Sequence, residues 1–312
     1  MNFNKLNDLG LQRKPFLFIT SFDAKDLVVI PLDELESHDI EFCIDESYKQ
    51  DAHKYQVEKF PIDYLTYKNS FDKVIRKIKS GDTYFLNLTA QTPIKTSLNL
   101  KEIYSVANAH YKLRYKDEFV CFSPEKFIQI SENTIHTFPM KGTIDASVDD
   151  AKVKILADTK EMAEHVMVVD LLRNDLSKVS TNVRVEKFRY VSHIAAGDKK
   201  LLQVSSHISG DLENDWHKNI GNILKDILPA GSISGTPKKS TLDIIEEVEN
   251  YERGFYTGIF GVFDGKTLDS GVMIRFIQNQ DARLVYKSGG GVTLDSNAED
   301  EYAEMLEKVY IA

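Results

Sequence analysis

The sequence predicts an α+β fold: one large domain over residues 1–312 that is rich in antiparallel sheet. Three observations carry this. Short β-branched and aromatic runs follow one another through brief polar turns, the helical patterns are interspersed among them without strict alternation, and no internal repeat or low-complexity linker divides the chain. At the N-terminal end, PFLFITSF (15–22), LVVIPL (27–32) and IEFCI (40–44) have strand composition, and a polar stretch, 45–59, follows. Over 69–79, Phe71, Val74, Ile75 and Ile78 recur at helical spacing and Gly81 supplies the stop; TYFLNLTAQTPI (83–94) is the next strand. KEIYSVANAHYK (101–112) reads as a helix, EFVCFS (118–123) and KFIQIS (126–131) as strands, and NTIHTFPMKGT (133–143) as a hairpin return. The longest helical pattern, 152–176, sets Ile155, Met162, Val166, Val169 and Leu172 on one stripe and carboxylates on a neighbouring face. A helix around 216–228 leads into the punctuated loop PAGSISGTPKK and the helix STLDIIEEVE (240–249). GIFGVFD, GVMIRFIQ and RLVYKSGGG are antiparallel strands joined by turns such as DGKT, and a last helix, 297–310, buries Tyr302, Met305, Leu306 and Val309.

The bulk composition, 42% hydrophobic and 28% charged, is that of an ordinary globular protein. A formal charge of −9 excludes a surface built to neutralise phosphate backbones, so nucleic acid is not an expected partner. An anionic small substrate must therefore meet a local cluster of cations. Cys43 and Cys121 both sit in apolar runs without CxxC spacing, which indicates buried thiols, neither disulfide nor zinc site, and a reducing cytoplasm. No secretory leader pattern and no apolar stretch near the ~20 residues needed to span a bilayer is present, so no membrane partner is expected.

Three constellations could carry chemistry. Glu161 and Glu164 stand three apart in EMAEHV, as do Glu301 and Glu304 in EDEYAEMLEK, so each pair shares a helix face. Brought together, the two faces would offer oxygen ligands to a hard cation; from spacing alone, a solvated acidic surface is the commoner meaning. The glycine-rich turns PAGSISGTPKK and KSGGGVTLDS could bind a carboxylate or phosphate through backbone N–H groups, yet neither has Walker or GxGxxG spacing, and plain hairpin turns have the same composition. Finally, Lys141, Arg275 and Lys308 lie in otherwise apolar segments, as buried ion-pair partners or as clamps for a ligand.

In this order, GDTYFLNLT, SPEKF, FPMKGT, AEHVMVVDLLRNDLSKV, PAGSISGTPKKSTLDIIEEVE, FYTGIFGVFD, GVMIRF and SGGGVTLDSNAEDEYAE closely resemble the chorismate-utilising enzymes. That family includes anthranilate synthase component I, aminodeoxychorismate synthase component I, and the isochorismate and salicylate synthases. The resemblance runs from about Phe71 onward, roughly three quarters of the chain, and leaves 1–68 as short divergent strands before a family-like catalytic core at 69–312. It implies two large antiparallel sheets wrapped by helices, with Mg²⁺ near the ring carboxylate of chorismate. By resemblance, Glu164 and Glu301 are metal ligands, with Glu161 and Glu304 assisting through water. Tyr256 and Arg275 match the grip on the enolpyruvyl carboxylate; Ser232, Gly291 and Lys308 match positions around the ring carboxylate, and Gly142, Thr143 and Gly290 join the substrate-binding set. Glu125 matches the acid/base carboxylate at the leaving C4 hydroxyl.

Within the family, the resemblance is closest to the aminodeoxychorismate synthases. Lys141 stands where these carry a lysine that attacks C2 of chorismate and where anthranilate synthases carry alanine. An ordinary lysine titrates near 10.4, so the site must lower that value; burial with Mg²⁺, Arg275 and Lys308 nearby acts in this direction and Glu125 against it. Phe85 replaces the lysine base of the water-adding members, and a phenyl ring cannot deprotonate water. Phe85 and Gln203 also depart from the glutamine and histidine of many ammonia-using relatives, and KGTIDAS lacks their arginine-containing turn. The N-terminal region leaves no room for a complete tryptophan-feedback site, and no amidotransferase segment with a nucleophilic cysteine motif is present. The implied reaction converts chorismate plus ammonia, supplied by a glutamine amidotransferase partner, to 4-amino-4-deoxychorismate for 4-aminobenzoate and folate. The alternatives are anthranilate formation and a non-catalytic chorismate-binding subunit.

Overall fold

A computed structural model describes residues 3–44, 55–196 and 199–311; of the expected polar stretch 45–59, residues 45–54 lie outside the described residues. The chain opens with helix α1 (Asn4–Leu11), where only strands were expected. Its Gly10 permits backbone contact, since a Cβ there would collide with the carbonyl of His217. Strands β1 (Phe16–Thr20), β2 (Leu27–Pro31), β3 (Ile40–Ile44) and β4 (Glu58–Lys59) precede α2 (Tyr64–Lys79). Asp63 caps α2 by accepting from Thr66 N at 2.9 Å, and Gly81 leaves it at φ +81°.

After β5 (Phe85–Lys95), the helix expected over 101–112 is shorter: α3 (Leu100–Val106) starts in a capping box between Asn99 and Glu102, and Ala107 is already extended. The chain then forms β6 (Tyr111–Tyr115), β7 (Phe119–Ser123), β8 (Lys126–Ser131), β9 (Thr134–Thr137) and β10 (Met140–Asp145). The long helix expected over 152–176 is two, α4 (Ala151–Ala157) and α5 (Thr159–Ser177). Asp158 breaks it by turning extended, and its side chain caps α5 at Glu161 N. The stripe of α5 is rotated too. Met162 and Val166 are exposed, while Val168, Leu171, Leu172 and Leu176 are buried together with Glu164 and His165.

Next comes a long hairpin that was not expected, β11 (Thr181–Ala196) and β12 (Lys199–Asp211). Helix α6 (Ile220–Ile227), β13 (Gly235–Thr236), α7 (Lys238–Val248), β14 (Ile259–Phe263), β15 (Leu268–Val272), β16 (Phe276–Gln280), β17 (Arg283–Val292) and α8 (Ala298–Glu307) complete the order. The run GVMIRFIQ is therefore two strands and a bend.

Every strand pairing among the described residues is antiparallel. One sheet runs β10-β12-β9-β8-β15-β14-β1-β2, with β11 also on β12; the other runs β13-β5-β17-β16-β7-β6-β3, with β4 on β5. Strand pairs β7/β16 and β8/β15 belong to different sheets, so two of the chain's crossings between sheets lie side by side. Pro124 and Glu125 make one crossing and Met273 to Arg275 the other, with Arg275 at φ +50°. The crossings are tied by Val272 N donating to Glu125 O at 3.0 Å and Phe122 N donating to Arg275 O at 3.2 Å.

Leu17, Ile19 and Phe260 of the first sheet meet Leu113, Phe119, Cys121 and Phe276 of the second in one apolar cluster. Phe119 stacks on Phe276 at 4.8 Å between ring centroids. Each fully buried side chain of this kind contributes about 1.5–3 kcal/mol. The larger cluster gathers Leu6, Phe71, Val74, Leu172, Leu224, Ile245 and Met305 from six helices, which fixes α5 and α8 over the sheets. Cys43 and Cys121 are buried thiols, as expected. No helix among the described residues is long and apolar enough to cross a membrane.

Candidate active site

A cleft of about 740 Å³, counted to its open mouth, lies at the seam between the sheets. Its walls include Glu125, Lys141, Ser232, Tyr256, Arg275, Gly290, Gly291 and Lys308, so eight of the expected site residues converge from seven separate stretches of chain. Gly142 and Thr143 do not line it. Thr143 is exposed on β10 opposite Gln203, and Gly142, at φ +90°, brings the strand against α5, where a Cβ would stand 3.1 Å from Glu161 Oε2.

The two sheet crossings place Glu125 and Arg275. Glu125 Oε1 accepts from Ser232 Oγ at 2.6 Å, and burial pushes its carboxyl above the usual range despite that hydrogen bond. A carboxyl displaced upward is suited to donating a proton to a leaving oxygen. Arg275 is held by the Lys308 carbonyl at 3.3 Å and lies over the Tyr310 ring at 5.0 Å; its buried Nε has no partner in the protein. An unpaired buried guanidinium N–H facing a cleft is a place for an anion. Tyr256 is buried beside it, its ring 5.8 Å from that of Phe276.

The glycines of β17 let the strand pass between two walls. At Gly291 a Cβ would strike the Phe85 ring, and at Gly290 it would meet Glu301 Oε2 at 3.1 Å and Glu304 Oε1 at 3.6 Å. Phe85 therefore forms part of the floor. Gln203 lies on β12, buried, with an unpartnered Oε1.

Helices α5 and α8 bring the paired carboxylates to the cleft's edge, where Glu164 and Glu301 are buried. Lysines stand among them: Lys141 Nζ is 2.7 Å from Glu164, Lys308 Nζ is 2.6 Å from Glu304, and Lys160 Nζ lies 3.9 Å from Glu164 and 3.6 Å from Glu301. Burial raises the carboxyls of Glu301 and Glu161, and Glu161 Oε2 has no partner; at Glu304 burial acts upward too, but Lys308 with Lys141 and Lys160 together hold the carboxyl low. Burial pushes the Lys308 amine down against the pull of Glu304. Among the described residues, no three acidic or imidazole groups already form a tight metal cage. The oxygen-only donors, the orphaned Glu161 oxygen and the ammonium poised between Glu164 and Glu301 nonetheless fit a hard cation.

The expectation for Lys141 needs correction. Burial would lower its amine, but Glu164 overrides it, and the net direction is upward. The carboxylate that opposes a neutral amine is thus Glu164 and not Glu125.

Residues 21–312 match the family described as chorismate binding enzyme. The chain belongs to this family. It is 45% identical over 311 residues to an uncharacterized PabA-like protein of Pasteurella multocida, covering 98% of this chain and 96% of that one. It is 31% identical to aminodeoxychorismate synthase component 1 of Bacillus subtilis over 78% of this chain and 54% of that one. Among solved structures, anthranilate synthase component I from Streptococcus pneumoniae superposes with a TM-score of 0.68 at 25% identity, covering 84% of this chain and 60% of that one.

In this chorismate-binding enzyme, three residues beside the site escaped sequence reading. Lys160 stands four before Glu164, a spacing that could have flagged it. His165 is fully buried, its Nε2 2.7 Å from Ser206 Oγ, and burial pushes it down to about 4, so it is neutral. Lys287 lines the cleft from β17 and carried no sequence signal beyond a charge in an apolar run.

Proposed function

We propose that the chain is the chorismate-using component of an aminodeoxychorismate synthase: in the cytoplasm it converts chorismate and ammonia from a glutamine amidotransferase partner to 4-amino-4-deoxychorismate and water. The product serves 4-aminobenzoate and folate synthesis. One observation carries this reading: an amine, Lys141, and a carboxyl displaced upward, Glu125, line one cleft whose floor is the phenyl ring of Phe85. The neutral amine of Lys141 adds to C2, the ring double bonds shift, and the C4 hydroxyl leaves as water with a proton from Glu125. Ammonia then bonds to C4 as the C2–lysine bond breaks, and the Glu125 carboxylate takes back a proton from the new ammonium. Lys141 must first leave Glu164, since that ion pair keeps it protonated. Tyr256 and Arg275 hold the enolpyruvyl carboxylate throughout.

In the same reading, Glu164 and Glu301 would hold Mg²⁺ where the Lys160 ammonium now lies between them, with Glu161 and Glu304 assisting. Such an ion would supply fixed positive charge for the substrate's ring carboxylate. Glu301→Gln is expected to raise the Mg²⁺ concentration for half-maximal turnover by about tenfold or more, because one anionic ligand is lost. Chorismate binding without metal should barely change. A magnesium requirement equal to that of the unmodified enzyme would remove the assignment.

The deciding experiment supplies purified protein with chorismate, Mg²⁺ and ammonium, and couples it to aminodeoxychorismate lyase. 4-Aminobenzoate should appear only with the lyase present, and glutamine should replace ammonium only after an amidotransferase subunit is added. Direct appearance of fluorescent anthranilate would overturn the product assignment. Chorismate binding without any turnover would leave only a binding subunit.

A further inference from the structure

We propose that Lys287 is a further specificity-determining residue, a buried cation behind the Tyr256 and Arg275 end of the cleft that draws the dianionic substrate in and holds the turn leading to Tyr256. This rests on the proposed use of chorismate. Lys287 is 2% exposed and borders the cleft between its strand neighbours Gln91 on β5 and Phe276 on β16. Its Nζ donates to Arg253 O at 2.8 Å and to Glu252 O at 3.4 Å, three and four residues before Tyr256. The rings of Tyr251 and Phe276 lie 5.3 and 5.7 Å from the ammonium.

What Lys287 lacks is a counter-ion. Glu249, the nearest candidate, is already engaged: it accepts from Arg253 Nε at 2.8 Å, Arg253 Nη2 at 2.7 Å, Thr89 N at 2.8 Å and Thr89 Oγ1 at 2.7 Å. Among the described residues, Lys287 makes no salt bridge, so two buried cations face one buried anion. An ammonium in that position is costly, and carbonyls with ring faces offset the cost only in part. An anionic ligand in the adjoining cleft completes the balance. Among the described residues, the ionisable groups acting on Lys287 are Glu249 and Arg253, with the Tyr251 ring against its ammonium, all from α7's end and the segment after it; its strand neighbours Gln91 and Phe276 are uncharged. Burial, opposed by Glu249, pushes the amine down to about 8. A negative ligand favours its charged form, so binding should weaken as pH rises through that value.

The test measures chorismate binding by calorimetry, without ammonia, in the unmodified protein, Lys287→Met and Lys287→Arg between pH 7 and 9.5. Lys287→Met should weaken binding at pH 7 by about tenfold, the effect of one charge felt through an effective dielectric near 20 across a cleft's width. Lys287→Arg should stay within about threefold and lose the pH-dependent step of the unmodified protein, because a guanidinium does not titrate in this range. Turnover of bound substrate should change less than affinity in both. Flat affinity across this range in the unmodified protein, or Met binding as tightly as Lys, overturns the proposal while leaving the chorismate assignment standing. Should Lys287→Met fail to fold, the comparison of unmodified protein with Lys287→Arg decides. An unmodified protein that binds no chorismate at all overturns the function reading instead.

Discussion

Replacing Lys141 with alanine is expected to lower 4-amino-4-deoxychorismate formation by about 10³-fold or more, with chorismate still bound. The side chain lines the cleft, and its removal takes away the only atom in the proposed sequence that bonds to C2. Alanine also leaves Glu164 without its 2.7 Å partner, so part of any loss could come through the carboxylates. A second readout separates these causes. A chorismate analogue that stalls after attack at C2 should leave a mass increment on the peptide containing FPMKGT in the unmodified enzyme and none in the variant. Full activity in Lys141→Ala would exclude covalent catalysis, and an adduct on another lysine would move the chemistry there.

Glu125→Gln is expected to lower turnover at saturating ammonium by about 10²- to 10³-fold, with chorismate affinity changed only slightly. The amide keeps the shape of the carboxyl and still accepts from Ser232 Oγ, a 2.6 Å contact, but it has no proton to give the leaving hydroxyl. Burial makes the native carboxyl a better donor by keeping it protonated to higher pH. Turnover within about threefold of the unmodified enzyme would assign the proton to another group.

Much of this site was legible in the sequence because its parts are local motifs. Helical spacing put each i,i+3 glutamate pair on one face, and only the resemblance to the family's motifs made the pairs more than a solvated surface; KSGGG suggested a glycine turn, whereas it runs as strand past Phe85. Lys160 and Lys287 were hidden for a different reason: each matters through a neighbour distant in the chain, Glu301 for one and the carbonyl of Arg253 for the other. The fold was misread where local pattern misled. The β11–β12 hairpin carries charges through both strands and leaves Val185 and Phe188 exposed, which blurs the period of two. GVMIRFIQ is an unbroken apolar run with a charge inside it, and nothing in its composition announces the bend at Arg275. Helix α1 has no side-chain cap and buries only Leu6 and Gly10, so its signal was faint.

The paired crossings at Glu125 and Arg275 act as a gauge block. Their separation is set by main-chain hydrogen bonds at 3.0 and 3.2 Å between the two passing strands, not by side-chain rotamers. The Glu125 and Arg275 ends of the cleft therefore share one rigid reference, while Phe85 and Lys141 line the cleft from other strands. Residues of that second kind can be exchanged without moving the reference. The scaffold can thus keep the Glu125–Arg275 spacing fixed while the chemistry offered by residues of the second kind is changed at a few positions.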